Sequence, residues 1–224
     1  MENRTTTLGA SVLAITLLNA PLLAYADGPY IGASVGQAWV DASAGEIEAA
    51  FASDEGFVAS GTTIDDSDTG WKAFVGYRFN PFFALEGGYV DLGKATFSTT
   101  IASAPPPYDA LTPFQIQGTA EATGYNLTAI AGMPIGSAAF VFAKGGAFHW
   151  DADFTETIAG FGVARVARSE SDTKPTYGAG VELRLGHGAR IRAEWERFED
   201  VGSGIGGREG TNVDLASAGL MYEF

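Results

Sequence analysis

Two histidines, His149 and His187, are the residues of this 224-residue sequence best suited to act as a general base near neutral pH. A hydrolase would also need a nucleophile beside that base and a third group that orients it. His149 lies between two aromatic residues and His187 between two glycines, so neither has a neighbouring serine. These surroundings are more typical of a strand end and a tight turn. We therefore predict no catalytic residues and no enzymatic activity, with a lipid-directed hydrolase as an alternative.

Three aspartates, Asp65, Asp66 and Asp68, could supply oxygen ligands to a cation. The remaining spacing and the distal glutamate of a calcium-binding loop are missing, so a solvated acidic loop explains the pattern better. The sequence contains no cysteine, which excludes disulfides and thiolate metal sites. We predict neither a metal site nor a cofactor.

A third group of candidates consists of charged residues that recur at every second position within apolar segments. Alternation with a period of two places such residues on one face of a β-strand. Charges on that face can form salt bridges or line a path for ions. The set is Lys72, Arg78, Glu86, Lys144, Glu182, Arg184, Arg192, Glu194 and Glu196.

The sequence contains eight alternating segments, and five of them carry these charges. In the clearest one, residues 71–79, apolar side chains with aromatic ends occupy one face, while Lys72 and Arg78 lie on the other. Aromatic residues at both ends of an apolar face are typical of a strand that spans a membrane between its two interfaces. The segment at 139–150 is the least regular, because three phenylalanines share the face of Lys144. The aromatic residues assigned to the two interfaces are Trp39, Trp71, Tyr77, Phe79, Phe83, Tyr89, Tyr125, Tyr177 and Trp195.

The connections between the eight segments are alternately long and short. Long polar connections are expected at about 41–68, 93–118, 152–173 and 199–210, and short turns near residues 80, 135 and 187. Lipid offers no hydrogen-bond partner to an open sheet edge, so the strands must close on themselves. We predict an all-β fold: an eight-stranded antiparallel up-and-down transmembrane β-barrel with four long extracellular loops and short periplasmic turns.

The amino terminus has the features of a secretory signal peptide. An apolar run extends from Leu8 to Leu18, and Ala24-Tyr25-Ala26 offers small residues for cleavage. A retained membrane helix is the alternative, but Asn19 and Pro21 interrupt the apolar run. We predict a signal peptide at 1–26, a barrel at 27–224 and a location in the bacterial outer membrane.

Two stretches resemble a known family. DTGWKAFVGYRFNPFFALEGGYVDLG at 68–93, and YGAGVELR at 177–184 with RAEWERF at 192–198, are similar to the OmpA-type transmembrane β-barrel domain. The resemblance implies an interior network of Glu with Arg or Lys, so a pair between Glu86 and either Arg184 or Arg192 is expected. The sequence stops at the last strand, which departs from full-length members that carry a periplasmic peptidoglycan-binding domain. We therefore expect a barrel-only member.

The carboxyl-terminal strand resembles the assembly signal of such barrels, which the insertion machinery reads. The residues that match this signal are Ser217, Gly219, Tyr222 and Phe224.

An eight-stranded barrel is only wide enough to be filled by its own side chains, and buried charges require partners. A salt-bridged interior is therefore expected, and a small or gated ion-conducting pore is the main alternative function. With 27 Asp and Glu against 13 Lys and Arg, the chain has no basic surface for nucleic acid. We predict a structural or surface-display role through acidic loops. Expected partners are outer-membrane lipid and lipopolysaccharide, the insertion machinery during assembly, and an extracellular ligand of the loops.

Overall fold

A computed structural model describes residues 28–159, 164–203 and 210–224 of the protein. The predicted signal peptide at 1–26 lies outside the described residues. No helix in the described ranges is long and apolar enough to cross a membrane. Besides a single 3-10 turn at Asp109–Leu111, the elements are β1 (Gly28–Val40), α1 (Ala44–Glu55), β2 (Val58–Asp65), β3 (Ser67–Asn80), β4 (Phe83–Ser103), β5 (Phe114–Ile135), β6 (Ala139–Ala159), β7 (Ala164–Gly186), β8 (Ala189–Val201) and β9 (Thr211–Glu223).

Eight of these strands close into a ring. Each pairs antiparallel with its neighbours in the order β1-β3-β4-β5-β6-β7-β8-β9, and β9 pairs with β1. In the closing pairs, Tyr30 lies opposite Gly76 on one side and Glu223 on the other. A closed ring leaves no strand edge in the hydrocarbon region. The predicted eight-stranded antiparallel barrel is therefore confirmed.

Alternation sorts the side chains of the ring into an outward and an inward set. In β9, Leu220 is 63% exposed and the adjacent Met221 is 3% exposed. Inward glycines make room where large side chains cross the narrow lumen. A Cβ on Gly76 would lie only 2.2 Å from the ring of Tyr30, so glycine at this position allows the tyrosine to lie across the interior.

Three tight turns join the strands at the periplasmic end, as predicted. Asn80 closes the first turn, because its Oδ1 accepts hydrogen bonds from the N–H groups of Phe82 and Phe83 at 2.9 and 3.0 Å. In the third turn His187 has a φ of 52° and is flanked by Gly186 and Gly188, both also at positive φ. The glycines adopt this backbone without a steric cost.

Two of the predicted long loops are mostly strand. β4 and β5 occupy all of 93–118 except residues 104–113, and β6 and β7 continue through the described part of 152–173. The outward side chains are apolar only as far as the membrane boundary. Beyond it the strands remain paired, but the polar side chains now face outward and the apolar ones inward. Outward positions become polar, as at the cross-strand neighbours Thr96 and Thr119, while inward positions such as Ile101 and Ile116 become apolar and buried. Water can solvate one face of such a sheet while the other face is packed.

The first predicted loop, 41–68, contains α1 and β2. Ser43 and Glu46 form a reciprocal capping box at the start of α1. From α1, Phe51 and Ile47 pack on the inner face of the extended sheet beside Ile101. β2 pairs with the outer part of β4, which gives a five-stranded extracellular sheet in the order β2-β4-β5-β6-β7.

Candidate functional site: the charged interior of the barrel

An outer group of charges lies in the half of the barrel nearer the extracellular end. Lys72 on β3 and Lys144 on β6 both contact the carboxylate of Glu196 on β8, with N–O distances of 2.8 and 2.7 Å. Both lysines also contact Glu194, and the Lys144–Glu194 distance is 3.1 Å. Glu196 further accepts hydrogen bonds from Asn126 and Thr176. Because the two lysines come from separate strands, the group ties three parts of the ring together.

An inner group lies toward the periplasmic turns. Arg78 on β3 contacts Glu182 on β7 at 2.9 Å and Glu223 on β9 at 3.2 Å. Arg190 on β8 contacts the same two glutamates, at 3.3 Å from Glu182. Within this inner group each cation therefore has two carboxylate partners, and each carboxylate has two cations.

Arg192 on β8 joins the two groups. Its guanidinium lies 2.5 Å from Glu86 and 2.9 Å from Glu182. Glu86 also accepts a hydrogen bond from the hydroxyl of Tyr30 at 3.1 Å and lies 3.9 Å from Lys144. The guanidinium of Arg192 stands over the ring of Phe74 at 4.6 Å, so its flat face is covered by an apolar surface.

The two groups and the arginine that joins them contain equal numbers of positive and negative side chains. Five cations face five carboxylates, so the formal charge of the set is zero, and each residue is at most 6% exposed. A buried charge is tolerated only when it is paired, and this balance provides the pairing. The ten residues, referred to below as the interior charge network, are Lys72, Arg78, Lys144, Arg190, Arg192, Glu86, Glu182, Glu194, Glu196 and Glu223.

An apolar layer separates the interior charge network from the extracellular end of the lumen. Its largest members, Phe148, Trp150, Phe198 and Leu215, are completely buried, and the rings of Phe148 and Phe198 meet edge to face at 4.7 Å. They belong to one cluster of buried apolar residues. Such a layer offers no polar partner to a hydrated ion.

The structure places eight of the nine charged residues predicted from the sequence in the network. The ninth, Arg184, is exposed and lies two residues before Gly186 at the periplasmic rim, where β7 has reached the end of the packed lumen. Of the two alternative partners predicted for Glu86, Arg192 lies within salt-bridge distance of it.

Sequence reasoning missed Arg190, Glu223 and Tyr30 as members or partners of the network. Arg190 shares the period-two register of Arg192, and Glu223 shares that of Met221, so the alternation already carried the signal for both. Tyr30 lies in the inward register of β1, but nothing in the sequence indicates that its hydroxyl reaches Glu86.

Comparison with known proteins agrees with this architecture. The model of the OmpA-like transmembrane domain matches residues 24–224. The chain belongs to the OmpA-like transmembrane domain family. It is an integral β-barrel of the bacterial outer membrane, as predicted from the strand pattern.

Relatives of this OmpA-like barrel include outer membrane protein A of Klebsiella pneumoniae, which is 29% identical over 180 residues. Outer membrane protein A of Shigella flexneri is 27% identical over 173 residues. Each alignment covers 76% of this chain but only 47% and 44% of the relative, so the chain spans a little under half of their length. The N-terminal barrel domain of Pseudomonas aeruginosa OprF is similar with a TM-score of 0.46 and 12% identity, covering 88% of this chain and 98% of that one.

The predicted interface aromatics of the OmpA-like barrel lie on its outer surface in two belts. At the extracellular side Tyr89 contacts the rings of Trp71 and Tyr125, at 5.5 and 5.4 Å. At the periplasmic side Tyr77 contacts Phe79 at 5.2 Å. Eight residue steps separate Trp71 from Phe79, which corresponds to about 27 Å along a strand and about 20 Å of height at a tilt of about 40°. The remaining predicted members are Trp39, Phe83, Tyr177 and Trp195, of which Trp39 is partly buried and the other three are exposed.

The residues of the predicted assembly signal divide between the two faces of β9. Ser217 and Gly219 face inward, and Tyr222 and Phe224 face outward with their rings 5.2 Å apart. Their reading by the insertion machinery stays a prediction.

The two histidines lie far apart in the fold. His149 is exposed on β6 and its Nδ1 is 2.9 Å from the hydroxyl of Thr173, while His187 lies in the third periplasmic turn. In the described ranges, no group of three or more His, Asp or Glu residues is arranged to hold a metal ion.

Proposed function

We propose that this protein is a structural barrel of the outer membrane that displays an acidic extracellular sheet and carries out no catalysis. The observation that carries the proposal is the buried, charge-balanced network beneath an apolar layer. Both lie in the lumen, so the strands are cross-linked through the barrel interior, and an ion would have to cross the buried charge pairs as well as the apolar layer.

The extracellular sheet is the surface that such a barrel offers to a partner. From Asp91 to Ser103, β4 rises about 40 Å along its own direction beyond the membrane interface. Residues 41–70, which include α1 and β2, contain eight acidic residues and no basic one. A concentrated negative surface steers positively charged partners toward it.

The proposal that the lumen does not conduct ions is tested by conductance in planar lipid bilayers. We expect no stepwise conductance from the folded wild-type protein. Regular steps that change after Glu196→Gln, with folding verified on cold gels by the shift on boiling, would replace the structural role with the alternative of a gated pore. Lipid hydrolysis that disappears in His149→Ala would revive the hydrolase alternative.

The display role is tested with outer-membrane vesicles and polylysine-coated beads. A variant with Glu46→Gln, Glu48→Gln and Asp65→Asn should bind the beads several-fold more weakly at low salt, because the partner is held by charge. The matched control is Asp109→Asn, which removes one acidic charge from the separate connection between β4 and β5. Equal binding by the triple variant and wild type would contradict the proposal.

A further inference from the structure

A cavity of about 90 Å³ opens at the extracellular mouth of the barrel, above the apolar layer. This mouth pit is lined by inward residues from several strands of the ring and by residues at the joint between β2 and β3. Its apolar floor includes Ala38, Leu92, Ala152, Val201 and Val213, which belong to the same cluster of buried apolar residues as Trp150.

The floor of the mouth pit has the properties of a site for an apolar group. Ala152 lies on the same face of β6 as Trp150 and two residues beyond it, so the indole forms the next layer down, about 7 Å away. Pockets lined by apolar side chains with a few polar groups at the edge are the usual sites of small ligands. An apolar cavity of about 150 Å³ holds benzene, so 90 Å³ suits a short alkyl chain better than a fused ring.

The rim of the mouth pit is acidic. Three carboxylates, Asp66, Asp68 and Glu121, line it together with one cation, Lys94. Lys94 is already paired with Glu121 at 2.8 Å. The formal charge of the rim is therefore three negative charges against one positive charge, or −2, in a chain whose net charge is −14.

We propose that the mouth pit binds a small cationic amphiphile, an ammonium group that carries an alkyl chain of a few carbons. The chain enters the apolar floor, and the ammonium group stays at the rim beside Asp66 and Asp68. This site is separate from the interior charge network. It shares Asp66 and Asp68 with the acidic surface proposed for display, but it differs from that surface because it requires an apolar tail as well as a charge.

The experiment uses the protein in nanodiscs of zwitterionic lipid and follows the methyl resonances of Val201 and Val213 by NMR. Butylamine, protonated at pH 7, is titrated in parallel with butanol, butyrate and methylamine. We expect butylamine to bind about five- to tenfold more tightly than butanol at 50 mM salt, and butyrate and methylamine to cause little change. The advantage of butylamine over butanol should shrink at 0.5 M salt, where charges are screened.

Two matched pairs of variants localise the site. Ala152→Leu fills the floor and should abolish the shifts, whereas Ala143→Leu makes the same change on the lipid-facing side of β6. Asp66→Asn should weaken the binding of butylamine but not of butanol, and it preserves the backbone carbonyl of Asp66 that accepts the N–H of Val40. Asp109→Asn is its control.

Three outcomes would overturn the inference. Equal affinity for butanol and butylamine would remove the role of the rim. Unchanged shifts in Ala152→Leu would remove the pit itself, as would shifts of equal size in all outward methyl groups, which would indicate uptake by the lipid. If Ala152→Leu does not fold, Ala122→Val narrows the same pit from β5 and serves in its place.

Discussion

The interior charge network predicts that removing a single carboxylate from it destabilises the barrel strongly. Glu196 is the most informative position, because its side chain is completely buried and contacts both Lys72 and Lys144. Glu196→Gln keeps the size of the side chain but removes its charge and replaces one of its two acceptor oxygens with a donating amide group. The two lysines then share Glu194, and the outer group gains one uncompensated positive charge.

The magnitude follows from the distances. At 2.8 Å and an effective dielectric constant of about 20, each contact between a lysine and Glu196 contributes about 6 kcal/mol of Coulomb energy. Desolvation of the ions and repulsion between Glu194 and Glu196 offset most of this energy. When one partner of a buried pair is removed, the net loss is about 3–5 kcal/mol. We expect the free energy of unfolding of Glu196→Gln to fall by that amount.

The assay is equilibrium unfolding in urea of the protein in lipid vesicles, followed by tryptophan fluorescence and by mobility on cold gels. The control is Glu121→Gln, which breaks a pair of similar length with Lys94 in which both side chains are about half exposed. That change should cost at most about 1 kcal/mol. A loss below about 1 kcal/mol in Glu196→Gln would refute the reasoning, because it would mean that water already solvates the interior charges.

Two other perturbations test the packing and the extracellular cap. Gly76→Val should destabilise the barrel by about 1–3 kcal/mol, since the new side chain meets the ring of Tyr30, whereas Gly87→Ala should be close to neutral because its nearest neighbour would lie 3.7 Å away; both are measured by the same urea unfolding. Hydrogen bonds from Ser43 lower the pKa of Glu46 below 4.5, so the cap of α1 stabilises the helix above that pH and is lost as the pH falls through the lowered pKa. Amide protection in α1 should therefore decrease on acidification in the wild type and show less pH dependence in Glu46→Gln; a parallel decrease in both proteins would contradict this assignment.

The sequence predicted the membrane-spanning parts of the strands more accurately than their extracellular extensions. In residues 71–79 the outward side chains must be apolar and the inward ones need not be, so alternation marks the strand. Beyond the interface, at residues such as Thr119 and Thr155, water replaces lipid and the outward side chains become polar. Such a segment resembles a polar loop in the sequence. It is identified as a strand only if Ile101 and Ile116 are recognised as the apolar residues of its inward face, where they are buried.

The sequence by itself determined the eight-stranded barrel, its inward and outward faces and the presence of charges in its interior. A period of two assigns each residue to a face locally, and lipid requires the sheet to close. Only the tertiary structure decided that Arg192 meets Glu86, that Arg184 is exposed and that Arg190 and Glu223 belong to the network. The contact between Arg192 and Glu86 crosses the lumen between residues 106 positions apart in sequence, whereas Arg190 meets glutamates of the two neighbouring strands. The stagger of the paired strands around the closed ring sets these contacts, and no single strand contains that information.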